Sequence, residues 1–201
     1  EFVRSLPNTK ILIYHNITPG SFFRGYEPYI VDVLEKGRAE LKRFANTCAL
    51  ALGDSEFNRL ELEELGFHPT GVLPIILNFD KYTATPDPTI INRYRDNYKN
   101  IIFVGRIAPN KRQEDLIQAF YMYKRYINPK SRLFLIGMAG LERYDLMLKE
   151  FICQLQLEDV YFTGVVTDAE LVAYYQIADL LLCMSEHEGF CVPLVEAMHS
   201  E

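Results

Sequence analysis

Two carboxylates, Glu188 and Glu196, stand in the stretch EGFCVPLVEAM over residues 188–198, with seven residues between them. A carboxylate pair can act as acid and base, or it can hold hydroxyl groups. If a helix begins near Gly189, then Gly189 and Glu196 are two turns apart on one face. Glu188 directly precedes that start, so the carboxylates would lie about 10 Å apart at ~1.5 Å rise per residue. That is at or beyond the widest glycosidase acid/base pair, about 9.5 Å. The spacing therefore favours two grips on the ends of one elongated ligand. Gly189 admits close backbone approach. The N–H groups of Gly189, Phe190 and Cys191 would be open to ligand oxygens at the helix start. Taken alone, the pair fits ordinary helix glutamates equally well.

Two cations complement them. Arg106 follows an apolar run, Ile101 to Val104, and Lys111 stands at the start of the next helical pattern. A guanidinium can grip two phosphate oxygens and an ammonium adds a point charge. With a helix N-terminus they make a local anion site. The GxxxxGK[ST] spacing of a Walker loop is absent, and two solvated loop cations fit the spacing equally. His15 ends a third apolar run, KILIYH, and begins a loop with Pro19, Gly20 and Gly25. A strand end is a common place for a working residue, although a lone histidine also fits a structural role.

The elements that would position these residues alternate. Residues 10–15, 48–52 and 71–77 read as strands, with Pro74 marking the last as an edge or a short strand. Helical spacing covers 29–44 and 56–65, with Ser55 as N-cap and Gly66 as C-cap. Residues 80–100 break the rhythm with Pro86 and Pro88 and read as a linker or a surface helix. A second alternation follows, with strands at 101–104, 132–136, 160–162 and 179–184. Helices lie between them at 113–126, 144–155 and 168–176, and a last helix carries 193–198. Thr167 and Glu170 have the spacing of a capping box. The pattern predicts an α/β protein of two Rossmann-like, doubly wound parallel-sheet domains. Their expected spans are 1–85 and 100–201, joined by 86–99. Arg106 and Glu188 both fall at carboxyl ends of strands, where such sheets bind ligands.

Composition narrows the class. The net charge is −6 and 49% of the 201 residues are hydrophobic. A sizeable core is affordable, and a general nucleic-acid binder is disfavoured for want of a basic face. No apolar run approaches the roughly 18 residues that span a bilayer, and no leader pattern is read at Glu1. Cys48, Cys153, Cys183 and Cys191 form no CxxC pair. Three of them sit in apolar surroundings, so reduced buried thiols and a cytoplasmic setting are expected.

Together the motifs are more specific than either half. VGRIAPNK at 104–111, followed by SEHEGFCVPLVEAM at 185–198, resembles the donor domain of retaining GT-B glycosyltransferases of family four, the group 1 glycosyl transferases. FLIG at 134–137, VYFTGVV at 160–166 and ADLLLCMSE at 178–186 extend the likeness. Upstream, YHNITP at 14–19, GDSEFNRLELEELGF at 53–67 and VLPIILNFD at 72–80 resemble the second half of the family's acceptor domain. The resemblance implies transfer of a sugar from a UDP- or GDP-sugar to a saccharide or lipid-linked acceptor. Arg106 and Lys111 would hold the pyrophosphate and stabilise it as leaving group. Glu188 would bind hydroxyls of the moving sugar and Glu196 those of the ribose. Backbone from Gly189 to Cys191 would contact sugar and phosphate, and base contacts would fall near Val165. His15 would reach the reacting sugar across the cleft between the domains.

No Asp-x-Asp motif occurs, in keeping with a metal-independent, cofactor-free reaction. Family members run to about twice this length. An internal fragment lacking both ends is therefore expected, with exposed strand edges prone to homo-oligomerisation. A lipid acceptor would imply peripheral membrane contact, for which no basic amphipathic helix is present. The alternatives are a non-catalytic nucleotide-sugar-binding or interaction module, and a sugar-nucleotide epimerase, against which the EGFxxPxxEAM form speaks.

Overall fold

The structure is a computed structural model and describes residues 2–200, the side chain of Lys81 excepted. The chain forms two compact units, Glu1–Ile76 with His187–Cys191, and Leu77–Glu186 with Val192–Glu201.

The first unit carries a parallel sheet of order β1-β2-β3, with β1 Ile11–Tyr14, β2 Leu50–Gly53 and β3 Thr70–Val72. β1 and β2 run in register with Tyr14 opposite Gly53. The helices are α1 Phe2–Ser5, α2 Pro28–Lys42 and α3 Glu56–Glu64. Pro28 starts α2, where a missing N–H costs nothing, and the Glu27 side chain accepts from the Tyr29 amide. Ser55 Oγ accepts from the Asn58 amide at 3.3 Å and caps α3. Gly66, at φ +91, ends it. Tyr14, Leu41, Ala51, Leu62 and Phe67 form the core. β3 stops at Val72, two residues before Pro74, and lies at the sheet edge, as the proline predicts.

The second unit holds a parallel sheet of order β6-β5-β4-β7, with β4 Lys99–Val104, β5 Ser131–Ile136, β6 Val160–Gly164 and β7 Leu180–Leu181. Every residue of β5 is buried, as a central parallel strand requires. α4 Pro88–Tyr94, α5 Gln113–Tyr126, α6 Glu142–Gln154, α7 Asp168–Ile177 and α8 Val192–His199 complete the unit. Ile102, Phe134 and Ile136 share a core with Ile90 and Tyr94 of α4 and with Ala173 to Tyr175 and Ile177 of α7. The alternate residues Ile101, Phe103, Leu133 and Leu135 are also buried. So are Leu116, Ile117 and Phe120 of α5 and Tyr144 and Leu148 of α6. From β4 the chain moves outward through β5 to β6, then returns to the other side of β4 as β7. The strand order therefore reverses at β4.

Three expectations change. Residues 86–99, read as a linker or a surface helix, do carry a helix, α4, but its Ile90 and Tyr94 are buried in the second core. Four residues apart, they share one helical face, and this short stripe is masked by the surrounding charges. The strand expected at 179–184 shrinks to Leu180–Leu181, which pairs only with β4. The last helix begins at Val192 rather than near Gly189, because Cys191 sits at φ 63, outside the right-handed helical region.

Among the described residues no helix is long and apolar enough to cross a membrane. None of the four cysteines is disulfide-bonded. Cys48, Cys183 and Cys191 are half-buried and Cys153 is exposed, so none is the fully buried thiol expected.

Candidate active site

In the first unit, two adjacent strand ends and one distant loop meet. His15 follows β1 and Asp54 follows β2, one step beyond the Tyr14–Gly53 register pair. His15 Nδ1 lies 2.9 and 3.0 Å from the two carboxylate oxygens of Asp54. The Asp54 side chain is 2% exposed and that of His15 is 70% exposed. The loop after His15 is tied down from below. Tyr14 donates its hydroxyl to Glu61 at 2.9 Å and accepts the Ile17 amide at 3.0 Å. Arg38 donates to the Ile17 carbonyl at 2.6 Å and pairs with Glu61. Burial pushes the Tyr14 hydroxyl up to about 12, and the hydrogen bond and charge of Glu61 add to the shift. The Ile17 amide and Arg38 oppose it.

Asn16, at φ 86, turns the chain and donates Nδ2 to Asn58 Oδ1 at 2.8 Å. The loop His187–Cys191 lies on this pair. A Cβ on Gly189 would come within 3.0 Å of the His15 carbonyl and 3.3 Å of both Asn16 Cβ and Asn58 Nδ2. Glycine is what lets the loop settle there. The His187 ring contacts Phe57 edge-on at 5.8 Å and Phe22 at 6.0 Å between centroids. The first unit thus gathers His15 with the half-buried segment that carries Glu188, Gly189, Phe190 and Cys191.

In the second unit, the cations stand where the strand order reverses. β4 ends in Gly105, and Arg106 follows, exposed. The Arg106 guanidinium has no ion-pair partner among the described residues. The backbone here approaches the next strand end closely: a Cβ on Gly137 would lie 2.0 Å from the Gly105 carbonyl oxygen. Buried Gln113 braces the loop from inside. Its Nε2 donates to the Arg106 carbonyl at 3.2 Å and its Oε1 accepts the Ala108 amide at 3.3 Å. Lys111 closes a 3-10 turn, Pro109–Lys111, and its amide donates to the Ala108 carbonyl at 2.9 Å. Arg112 is left-handed at φ 53 and ion-paired to Glu114 at 3.0 Å, Asp115 at 2.8 Å and Glu186 at 3.3 Å. The Glu186 amide donates to the Asn110 carbonyl at 3.0 Å. These contacts stitch the loop after β4 to the loop after β7.

Val165, 76% exposed, follows β6 on the same sheet edge. Glu196 lies on α8 and is 4% exposed. Its carboxylate accepts the Tyr175 hydroxyl at 2.7 Å and that of Tyr82. Two hydroxyl donors on one carboxylate is also the bonding pattern of a vicinal diol.

Each unit therefore assembles part of the expected set: His15 with Glu188 to Cys191 in the first, Arg106, Lys111, Val165 and Glu196 in the second. Sequence reasoning missed Asp54, Asn58, Arg112, Gln113, Tyr82 and Tyr175. For Asp54 a signal existed. It lies just past the second apolar run as His15 closes the first, and β1 and β2 end side by side, so His15 and Asp54 become neighbours.

Residues 90–201 match the family profile described as glycosyl transferases group 1. A mannosylfructose-phosphate synthase of Agrobacterium fabrum (strain C58 / ATCC 33970) is 34% identical over 117 residues, 55% of this chain and 26% of that protein. A serotype-specific mannosyltransferase, WbdA of Escherichia coli, is 30% identical over 120 residues, 58% of this chain and 14% of that protein. Among solved structures, Anabaena Alr3699/HepE in complex with UDP and glucose aligns with TM-score 0.72 and 21% identity. That alignment covers 95% of this chain and 50% of the HepE chain. The trehalose-6-phosphate synthase OtsA aligns with TM-score 0.73 and 16% identity, over 100% of this chain and 51% of that one. The fold is GT-B. The chain spans about a quarter or less of these curated relatives and about half of these solved structures.

Proposed function

We propose a reaction from one premise: the chain belongs to the glycosyl transferases group 1 family. The reaction is transfer of a hexosyl group from a UDP- or GDP-sugar to a saccharide or lipid-linked acceptor, with anomeric configuration retained. The observation that carries it is the cationic loop at the strand-order reversal. In open α/β sheets this is where ligands bind, and Arg106 and Lys111 stand there in an acidic chain. The named ligands of the HepE complex, UDP and glucose, support a nucleotide-sugar donor, and the mannosyl relatives support a hexose.

In this reading Arg106 and Lys111 hold the diphosphate and take up the charge that develops as it leaves. Glu188 accepts hydroxyls of the moving sugar. The backbone of Gly189, Phe190 and Cys191 meets sugar and phosphate oxygens, the base lies near Val165, and Glu196 holds the ribose. The leaving phosphate helps remove the acceptor proton on the same face. Side chains supply the positive charge, so the reading assigns no metal: chelation with EDTA should leave turnover unchanged, as measured by release of nucleoside diphosphate.

The reading is tested by calorimetry of the parent protein against UDP-glucose, GDP-mannose and related donors, with Glu188→Ala and Arg106→Ala beside the wild type. Binding of one donor, with turnover lowered in both variants, is expected. Failure to bind any nucleotide sugar, with Glu188→Ala as active as wild type, would sink it. A second reading, a non-catalytic module that binds the nucleotide sugar or a partner without transfer, draws on the chain spanning about half or less of its relatives' length. Product formation by the parent protein rules that reading out.

A further inference from the structure

We propose that Asp54 is a positioning residue for His15, holding the imidazole with Nδ1–H turned inward and Nε2 presented outward as a hydrogen-bond acceptor. An ionised carboxylate can only accept. Nδ1, at 2.9 and 3.0 Å from its two oxygens, must therefore carry the proton. In the neutral ring Nε2 is then the acceptor. A free histidine side chain in water favours the opposite tautomer, so the pair makes dominant a state that is otherwise the minor one.

The exposures of the two groups differ sharply. A surface ion pair is open on both sides and contributes little to stability. A stabilising interior pair is closed on both sides. Here the acceptor is 2% exposed and the imidazole 70%. The anchor is thus shielded from water while the ring's other edge stays open to a ligand.

The anchor cannot move easily. Gly53, directly before Asp54, packs so tightly on α3 that a Cβ there would lie 2.7 Å from the Arg59 amide nitrogen and 2.8 Å from the Asn58 carbonyl carbon. Ser55, directly after it, caps α3. On the His15 side, Tyr14, Arg38 and Glu61 fix the backbone through Ile17. The ring is thus held by its Nδ1 edge between two fixed strand ends. The inference rests on the proposed function for what Nε2 meets, a hydroxyl of the sugar or acceptor. It does not rest on that reading for the tautomer.

The test has two arms. In the first, 15N NMR of His15 in the full chain, in mildly alkaline buffer, reads which nitrogen is protonated. Nδ1–H is expected in the wild type. Asp54→Asn should reverse it, because a carboxamide N–H can donate to Nδ1. Nε2–H in the wild type would overturn the proposal, and the wild-type spectrum decides this even if the variant does not fold. In the second arm, kcat and KM of Asp54→Asn, His15→Ala and the double variant are measured in the parent protein. A kcat loss of roughly 10–100-fold is expected for Asp54→Asn, with KM little changed. The double variant should be no slower than His15→Ala alone. Wild-type kcat in Asp54→Asn, with transfer intact, overturns the positioning role and leaves the proposed function standing. A parent protein that binds no donor fails the proposed function, while the tautomer arm still decides whether Asp54 sets the ring.

Discussion

Arg106, Lys111 and Arg112 show how neighbouring cations divide. Arg112 is engaged by Glu114, Asp115 and Glu186, which makes it part of the loop's structure. Arg106 is exposed at the strand end. Under the proposed function, Arg106→Ala should lower kcat by about 10²–10³, the usual effect of deleting a group that stabilises transition-state charge. Arg112→Ala should act instead on stability, read as a lower urea midpoint. Another outcome at this scale concerns pH. The folded chain keeps the Tyr14 proton up to about 12, whereas an ordinary tyrosine loses it at 10.0. This contribution to stability is full below pH 10 and is lost as pH rises toward 12, where the unfolded chain binds fewer protons. Tyr174, also pushed up to about 12 chiefly by burial, acts in the same direction. Unfolding midpoints should therefore fall across this window, less steeply in Tyr14→Phe.

Residue identity made some of these sites legible and hid others. His15 stood out because its type and strand-end place coincide. Asp54 did not, because an Asp ahead of Ser55 reads as ordinary helix-start composition. Its role depends on the register of two strands whose ends are 39 positions apart.

Elements follow their local chemistry where that chemistry is carried by side chains. The Thr167–Glu170 capping box forms as its spacing predicts, with the Thr167 amide 2.7 Å from Glu170 Oε2. Thr167→Ala should cost about 1 kcal/mol. The start of α8 was not legible, because nothing in a cysteine marks φ 63 at position 191. β7 could not be measured from its apolar run either, since strand length depends on a neighbour and β4 alone pairs with it. The strictest element constraint is Gly137. Its φ of +145 and the 2.0 Å approach of a would-be Cβ to the Gly105 oxygen leave no room for a side chain. Gly137→Ala should destabilise by about 3 kcal/mol or more, from backbone strain plus overpacking. A urea titration reads this directly, and the Arg106 loop should loosen with it.

At the scale of the whole molecule, the cores are unequal. The first unit rests on strands of four, four and three residues around a small core. The second has β4 and β5 of six residues each, β5 buried throughout, and a larger cluster. Hydrogen exchange should accordingly leave the β4 and β5 amides protected longest and release β1 to β3 earlier. Equal protection in both sheets would contradict this. The alternation of strand and helix was readable because a parallel sheet writes its period into the sequence. The assignment of His187–Cys191 to the first unit was not, because it is a contact made far along the chain.

That loop has a consequence for biosynthesis. The first unit includes residues 187–191, so it cannot be completed while the ribosome is still making the residues between 76 and 187. All strands of the second sheet, from Lys99 to Leu181, are translated earlier. Residues 192–201 of the second unit follow still later, so both units reach completion close together rather than strictly one after the other. The Asn16–Asn58 pair waits uncovered on the nascent chain until Gly189 emerges.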